Sequence, residues 1–141
     1  MAYINQPEEG KSYMKRIGAY GLLLDERQNL AVIKTSTGYF LPGGGLEENE
    51  TLEDCLVREF REEISMEIEI DRKISVLSYF FYSTTYDQHM KSEGHFYQCT
   101  YKRDLEMESE ADHELLWLEQ NQAKELLFLE NQRAAVHQLN N

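Results

Sequence analysis

Residues 41–50, LPGGGLEENE, set a proline and three successive glycines directly ahead of a segment in which an apolar residue returns at every fourth position. Proline lacks the amide proton of a ladder or helix, and a glycine run is entropically costly to order, so neither a helix nor a sheet interior is expected there. We therefore read 42–50 as a loop. The segment after it, TLEDCLVREFREEI at 51–64, carries Leu52, Leu56, Phe60 and Ile64 as one stripe of an amphipathic helix. Thr51 and Asp54 supply a start resembling a capping box.

Around this loop and helix the chain alternates between strand-like and helix-like stretches. IGAYGLLL at 17–24 and LAVIK at 30–34, separated by the polar turn DERQN, read as a β-hairpin. Segments at 66–71, 74–86 and 94–101 are rich in Ile, Val, Tyr and Phe, as strands are. ELLWL at 114–118 reads as a short strand, and 119–138 as a last helix carrying Leu126, Leu127, Ala134 and Val136. With no repeat or linker, the order of strands, helix, strands and helix predicts one domain over 1–141, an α/β (α+β) arrangement with a mixed sheet flanked by helices.

Charge narrows the partners. Fourteen Lys plus Arg against 26 Asp plus Glu leave a formal net charge of −12, which repels polyanions and disfavours coating of nucleic acid or of an anionic membrane surface. The first residues lack the apolar core of a secretory signal, and no stretch approaches the roughly 18 apolar residues of a membrane span. A cytoplasmic location is expected, with Cys55 and Cys99 as reduced packing residues.

The helix at 51–64 is too acidic beside its apolar stripe. Projected at about 100° per residue from Glu59, the four stripe residues fall near 20°, 60°, 100° and 140°. Glu63 falls near 40°, inside the stripe, and Glu62 lies about 60° outside it. Residues three and four apart are neighbours on a helix, so Glu59, Glu62 and Glu63 bring three carboxylates to the edge of the core. Arg58 and Arg61 project about 100° and 160° away, which leaves the carboxylates without an obvious counterion. Like charges so placed either raise one another's pKa or take up a cation. Carboxylate oxygens completed by water and substrate phosphate are a common Mg²⁺ environment, and a glycine loop opening onto a helix admits close approach of an anion or metal. The alternative is a solvated acidic face in a glutamate-rich chain.

Gly44, Glu50, Arg58, Glu59, Phe60, Glu62, Glu63 and Met66 together resemble the Nudix box of the Nudix (MutT-like) hydrolases, here spanning 44–66. Ser65 stands where that box has glycine, the one departure, and it falls at the helix exit where glycine relieves a left-handed cap. The resemblance implies the Nudix α/β/α sandwich and Mg²⁺-dependent hydrolysis of a pyrophosphate bond in a nucleoside diphosphate linked to another moiety, with nucleoside triphosphates mildly preferred for so small a chain. It implies Glu59 and Glu63 as principal Mg²⁺ ligands, with Mn²⁺ as a substitute. Glu62 would be a further ligand or a base, and the Gly43 carbonyl another ligand. Arg58 and Glu50 would hold loop and helix in register. The partner implied is a small nucleotide, and relatives often pair as homodimers, although no residue here identifies a dimer face.

Beyond the box the residues say less. A further acidic ligand is expected from Glu110, Asp112 or Glu114, with Glu114 favoured. Lys34 and Arg16 are candidates to meet phosphate, Gly43 and Gly44 to approach it, and Tyr39 to contact the substrate. Tyr39, Phe40, the YFFY run at 79–82 and Trp117 otherwise read as packing residues, and His89, His95 and His113 as surface or strand histidines. Two other functions share the fold: a nucleotide-sensing module that does no chemistry, and an isoprenoid-diphosphate type isomerase. The full set of box carboxylates argues against the first, and the absence of a suitable Cys and Glu pair against the second.

Overall fold

The computed structural model describes residues 2–140. Its elements run β1 (Ala2–Tyr3), β2 (Met14–Leu23), β3 (Leu30–Thr35), β4 (Gly38–Phe40), β5 (Gly43–Gly45), α1 (Leu52–Ile64), β6 (Met66–Ser83), β7 (Gln88–Asp104), β8 (Glu114–Leu118), α2 (Gln120–Leu126) and α3 (Glu130–His137), then a 3₁₀ turn at Gln138–Asn140. Five strands form a mixed sheet in the order β1-β6-β7-β2-β5, and β4-β3-β8 form a smaller antiparallel sheet. In the larger sheet β2 runs parallel to β7 over ten residue pairs, while β6–β7 and β2–β5 are antiparallel.

Alternation along the central strands makes the sandwich. Ala19 and Leu23 of β2, with Tyr97 and Cys99 of β7, pack beneath Cys55, Leu56 and Phe60 of α1. Leu22 of β2 and Phe96 of β7 point the opposite way, toward Ala123 of α2 and Ala135 and Val136 of α3. Both faces of the sheet are thus covered by helices, as a mixed sheet with apolar residues on both faces requires. No helix among the described residues is long and apolar enough to cross a membrane.

Several local expectations need correction. The segments at 17–24 and 30–34 are not a hairpin: they lie in different sheets and share only the Leu24–Leu30 bridge. IGAYGLLL is apolar on both faces, which marks a central strand, and its edges are taken by β7 and β5. The expected loop at 42–50 contains β5, where Gly43, Gly44 and Gly45 pair with Tyr20, Ala19 and Gly18. The strands expected at 66–71 and 74–86 are one strand, β6, whose register shifts near Ile70, Arg72 and Lys73 absorb the polar interruption.

The last helix is broken. Leu127 and Leu129 are extended, the Phe128 N–H donates to the Tyr39 carbonyl at 2.9 Å, and Leu127 is buried while Phe128 is exposed. Four apolar residues in succession, LLFL at 126–129, exceed what one helix stripe buries, and the extended backbone sends Leu127 and Phe128 to different surroundings.

Candidate functional site

Helix α1 begins as its sequence predicts, with the Thr51 hydroxyl accepting from the Asp54 N–H at 3.1 Å. Burial of Cys55, Leu56 and Phe60 against the sheet then turns Glu59 and Glu63 toward β5. Two glycines make that approach possible. A Cβ on Gly44 would lie 2.5–2.7 Å from the Glu59 carboxyl group. Gly43 sits at φ +146°, where a side chain would also meet the Ala19 carbonyl at 2.1 Å. The Gly43 N–H donates to Glu63 Oε1 at 2.8 Å. In an extended strand one residue's N–H and C=O face the same edge, so the Gly43 carbonyl also lies on the side facing away from β2.

Arg58 organises the cluster. Its Nε donates to Glu50 Oε2 at 2.6 Å, and its Nη2 to Glu50 Oε1 at 3.0 Å and to the Gly45 carbonyl at 3.1 Å. Its Nη1 donates to Glu59 Oε1 at 2.9 Å and to Glu62 Oε1 at 3.1 Å. The expectation that Arg58 points away from the carboxylates is therefore wrong: the helical projection places its Cβ, but the long side chain folds back over the helix. The Arg58 bond holds Glu50 down to a pKa of about 2, and its carboxylate partners raise Arg58 in turn.

Glu63 is 6% exposed, and burial, assisted by the negative charges of Glu59, Glu110 and Glu62, pushes its pKa up to about 8. Burial raises Glu59 as well. The downstream acid beside this cluster is Glu110 rather than Glu114. Glu114 is exposed on β8, in register with Lys34. Glu110 Oε2 lies 3.2 Å from His113 Nε2, and His113 Nδ1 lies 3.1 Å from Glu63 Oε2, outside hydrogen-bonding alignment. His113, read from sequence as a surface or strand histidine, thus bridges the two acids. Asp112 instead accepts from the N–H and hydroxyl of Ser36.

Ser65 anchors the start of the segment that carries these residues. It caps α1 in the left-handed region at φ 51°, and its hydroxyl donates to the Leu105 carbonyl at 2.6 Å and accepts from the Met107 N–H at 3.0 Å. The Ser65 carbonyl also accepts from the Leu105 N–H at 2.8 Å.

Glu63 opens onto a cavity of about 750 Å³. Gly43, Gly44, Glu63, His113 and Arg16 line its polar part, and Phe40, Phe81 and Phe128 its aromatic part. Arg16 Nη1 donates to the Tyr86 hydroxyl at 3.2 Å. Lys34 and Tyr39, expected to touch substrate, do not line this cavity: Tyr39 packs in the core, the exposed Lys34 ammonium stands 6.0 Å from its ring, and strand alternation turns Phe40 inward instead. Among the described residues no three carboxylate, histidine or cysteine donors stand at metal-binding geometry. The donor chemistry nevertheless suits a hard divalent cation. Four carboxylates crowd together, one buried and pushed toward neutrality, and Arg58 and His113 occupy positions against them that a cation would contest.

A family model of the NUDIX domain matches residues 14–139. The chain belongs to the NUDIX family. It is a Nudix hydrolase, and the hydrolases of that family cleave pyrophosphate bonds, generally with divalent metal ions. Among solved structures it resembles the MutT protein of Methanosarcina mazei Go1 at TM-score 0.72 and 17% identity, covering 91% of this chain and 94% of that one. An ADP-ribose pyrophosphatase from Streptococcus suis 89-1591 matches at TM-score 0.63 and 15% identity over 89% and 87% of the two chains. The E. coli dihydroneopterin triphosphate pyrophosphohydrolase matches at 0.64 and 14% over 92% and 97%. No curated protein matches. The last two of these structures bear names for different substrates at similar fold likeness, so the fold does not choose the leaving group.

Proposed function

We propose that this Nudix hydrolase cleaves the pyrophosphate bond of a nucleoside diphosphate linked to another moiety, nucleoside triphosphates foremost, using Mg²⁺ with Mn²⁺ as a substitute. The observation that carries the reading is Glu63, which accepts from the Gly43 N–H and lines the polar part of a cavity large enough for a nucleotide, with the charges of Glu59, Glu62 and Glu110 close behind it. Glu59, Glu63, Glu62 and the Gly43 carbonyl would hold the cation, with Glu110 in the place expected of Glu114. Bound there, the cation would neutralise the pyrophosphate and make a neighbouring water more acidic.

The residues of the chain do the rest. Arg58 and Glu50 fix the loop against the helix, which holds the glycine strand and the helix carboxylates in register. Arg16, in the cavity wall, offers a guanidinium to phosphate oxygens. Glu62, the most exposed of Glu59, Glu62 and Glu63 with 43% of its side chain accessible, can accept a proton from attacking water and release it to solvent. Two unpaired buried thiols, Cys55 and Cys99, suit a reducing compartment, and we place the activity in the cytoplasm.

The test incubates the protein with Mg²⁺ and a panel of nucleoside triphosphates, 8-oxo-dGTP, ADP-ribose, diadenosine polyphosphates and NADH, resolving products by chromatography beside Glu63→Gln. Turnover of a compound that vanishes in the variant supports the reading. Tight nucleotide binding without turnover across the panel would replace it with a sensing module.

A further inference from the structure

Away from the cavity, on the face of the larger sheet that also carries Tyr97 and Cys99, four side chains form one line. Glu93 of β7 is 6% exposed. Lys15 Nζ stands 3.3 Å from its Oε1, and His95 Nε2 lies 2.9 Å from its Oε2. His95 Nδ1 in turn lies 2.9 Å from Nζ of Lys73, an exposed residue of β6. Chemistry decides the direction of each bond. An ammonium only donates, so Nδ1 must accept, and the imidazole hydrogen sits on Nε2, where the Glu93 carboxylate accepts it. Burial works against the Glu93 charge, but the hydrogen bonds from His95 and Lys15 outweigh it and lower the pKa, so the carboxylate is ionised at neutral pH.

The backbone of β6 is shaped to put Lys73 there. Ile68 and Ile70 pack toward α1, and Val76 and Ser78 return to that face opposite His95 and Glu93. Strict alternation from Ile70 would send Lys73 to the opposite face. Register shifts on either side of it, between Ile70 and Arg72 and between Lys73 and Ser75, set Lys73 opposite Tyr97 instead, with Nζ 5.4 Å from the ring centre, and turn Leu77 back to the other core. A carboxylate that orients an imidazole, whose second nitrogen faces a nucleophile, is an arrangement that activates the nucleophile, here with an amine in that place. We propose that Lys73 is a covalent modification site, an amine activated by His95 and Glu93 that takes an acyl group from an acyl phosphate. Lys73 is exposed, and a small donor whose leaving group departs unaided suits it. The ammonium passes one proton to His95 Nδ1, and Glu93 stabilises the imidazolium so formed. The freed electron pair on nitrogen attacks the carbonyl carbon. The N–C bond forms, the C–O bond to phosphate breaks, and phosphate leaves with the bonding electrons and the second nitrogen proton. His95 then returns its proton to solvent, leaving the Lys73 amide and inorganic phosphate as products. Lys73, His95 and Glu93 do not line the nucleotide cavity, so the inference stands apart from pyrophosphate cleavage.

Brief exposure of the protein to acetyl phosphate, with peptide mass spectrometry following the acetylated fraction at each lysine over time, tests this. Lys73 should react about tenfold or more faster than the exposed Lys11, Lys34 and Lys102, a modest share of what a positioned general base supplies. His95→Gln still accepts a hydrogen bond but takes up no proton, and should bring Lys73 to within about threefold of those three while leaving their own rates unchanged. Glu93→Gln offers an amide donor to Nε2, turns the imidazole hydrogen toward Lys73 and should have the same effect. If that variant does not fold by circular dichroism, His95→Gln decides alone. Selective acetylation of Lys73 that disappears in His95→Gln supports the inference. Lys73 reacting no faster than the exposed lysines in the wild type, or keeping its advantage in folded His95→Gln, overturns it. Failure of the protein to hydrolyse any nucleotide would refute the hydrolytic reading and leave this result where it stands.

Discussion

Replacing Glu63 by glutamine should make the metal-free protein more stable while removing its activity. The Glu63 carboxyl is 6% exposed and its pKa is pushed from 4.5 up to about 8, chiefly by burial and then by the nearby acidic charges. With the folded value above the unfolded one, the folded chain retains a proton that the unfolded chain releases. The contribution of this group to stability is therefore fully present below about pH 4.5 and is lost as pH rises toward 8. At pH 7 the charge mismatch spans about 2.5 pH units, a ceiling of about 3 kcal/mol at 1.36 kcal/mol per unit. Glutamine is neutral throughout, has the same shape and can still accept the Gly43 N–H. In chelator at pH 7, Glu63→Gln should thus gain roughly 1–3 kcal/mol, raising Tm by several degrees, and the gain should close as pH falls to about 4.5. Added Mg²⁺ should stabilise the wild type and not the variant, and kcat should fall at least about a hundredfold. Thermal melts in chelator between pH 4.5 and 8.5 decide the matter. A variant no more stable than the wild type at pH 7, or a difference that does not vary with pH, would refute the claim that Glu63 is held in a conflict between burial and charge.

Arg58→Lys keeps the charge but cannot span both Glu50 oxygens, the Gly45 carbonyl and Glu59 at once, and should cost about 1–3 kcal/mol by denaturant unfolding. A loss below about 0.5 kcal/mol would show that the fork geometry is dispensable. Glu110→Gln should weaken Mg²⁺ affinity, followed by Mg²⁺-dependent thermal stabilisation, about tenfold or more, whereas Glu114→Gln should leave it within about twofold; the reverse ranking would return the site to Glu114. Ser65→Gly restores an easy left-handed cap but deletes the hydroxyl bonds to Leu105 and Met107, so opposing effects of about 1 kcal/mol should leave Tm nearly unchanged. Amide hydrogen exchange across 105–113 should nevertheless quicken, and unchanged protection there would show that Ser65 does not anchor the segment carrying Glu110 and His113.

Most of the box was legible because it is local. The Leu52, Leu56, Phe60 and Ile64 stripe, the Thr51 cap and the misplaced Glu63 all follow from 3.6 residues per turn, and α1 stands where that period puts it. The spacing of Gly43 and Gly44 ahead of the helix carried the second half of the site for the same reason. What escaped is non-local. IGAYGLLL gave a strand but no partner, and the polar turn behind it suggested the nearest one. Its two apolar faces were the available signal that it belonged between two neighbours in the middle of a sheet. Lys34 and Tyr39 are candidates for substrate contact by chemical type alone, and the direction each side chain takes from its strand leaves both off the cavity lining.

His113 shows how a residue's role can hide in ordinary chemistry. Its own chemistry does not distinguish it from His89 or His95, although it stands between the candidate acids Asp112 and Glu114, and its place beside Glu63 comes from a segment held at one end by Ser65 and at the other by Asp112 on Ser36. The box departure at Ser65 is the clue that sequence did offer. Replacing a glycine suited to a left-handed cap with a residue that carries a hydroxyl is unfavourable for the backbone, so a compensating bond is to be expected, and in this protein it ties the exit of the helix bearing Glu59, Glu62 and Glu63 to the segment bearing Glu110 and His113. The substitution that weakens the motif match locally therefore joins the two halves of the acidic cluster through the fold.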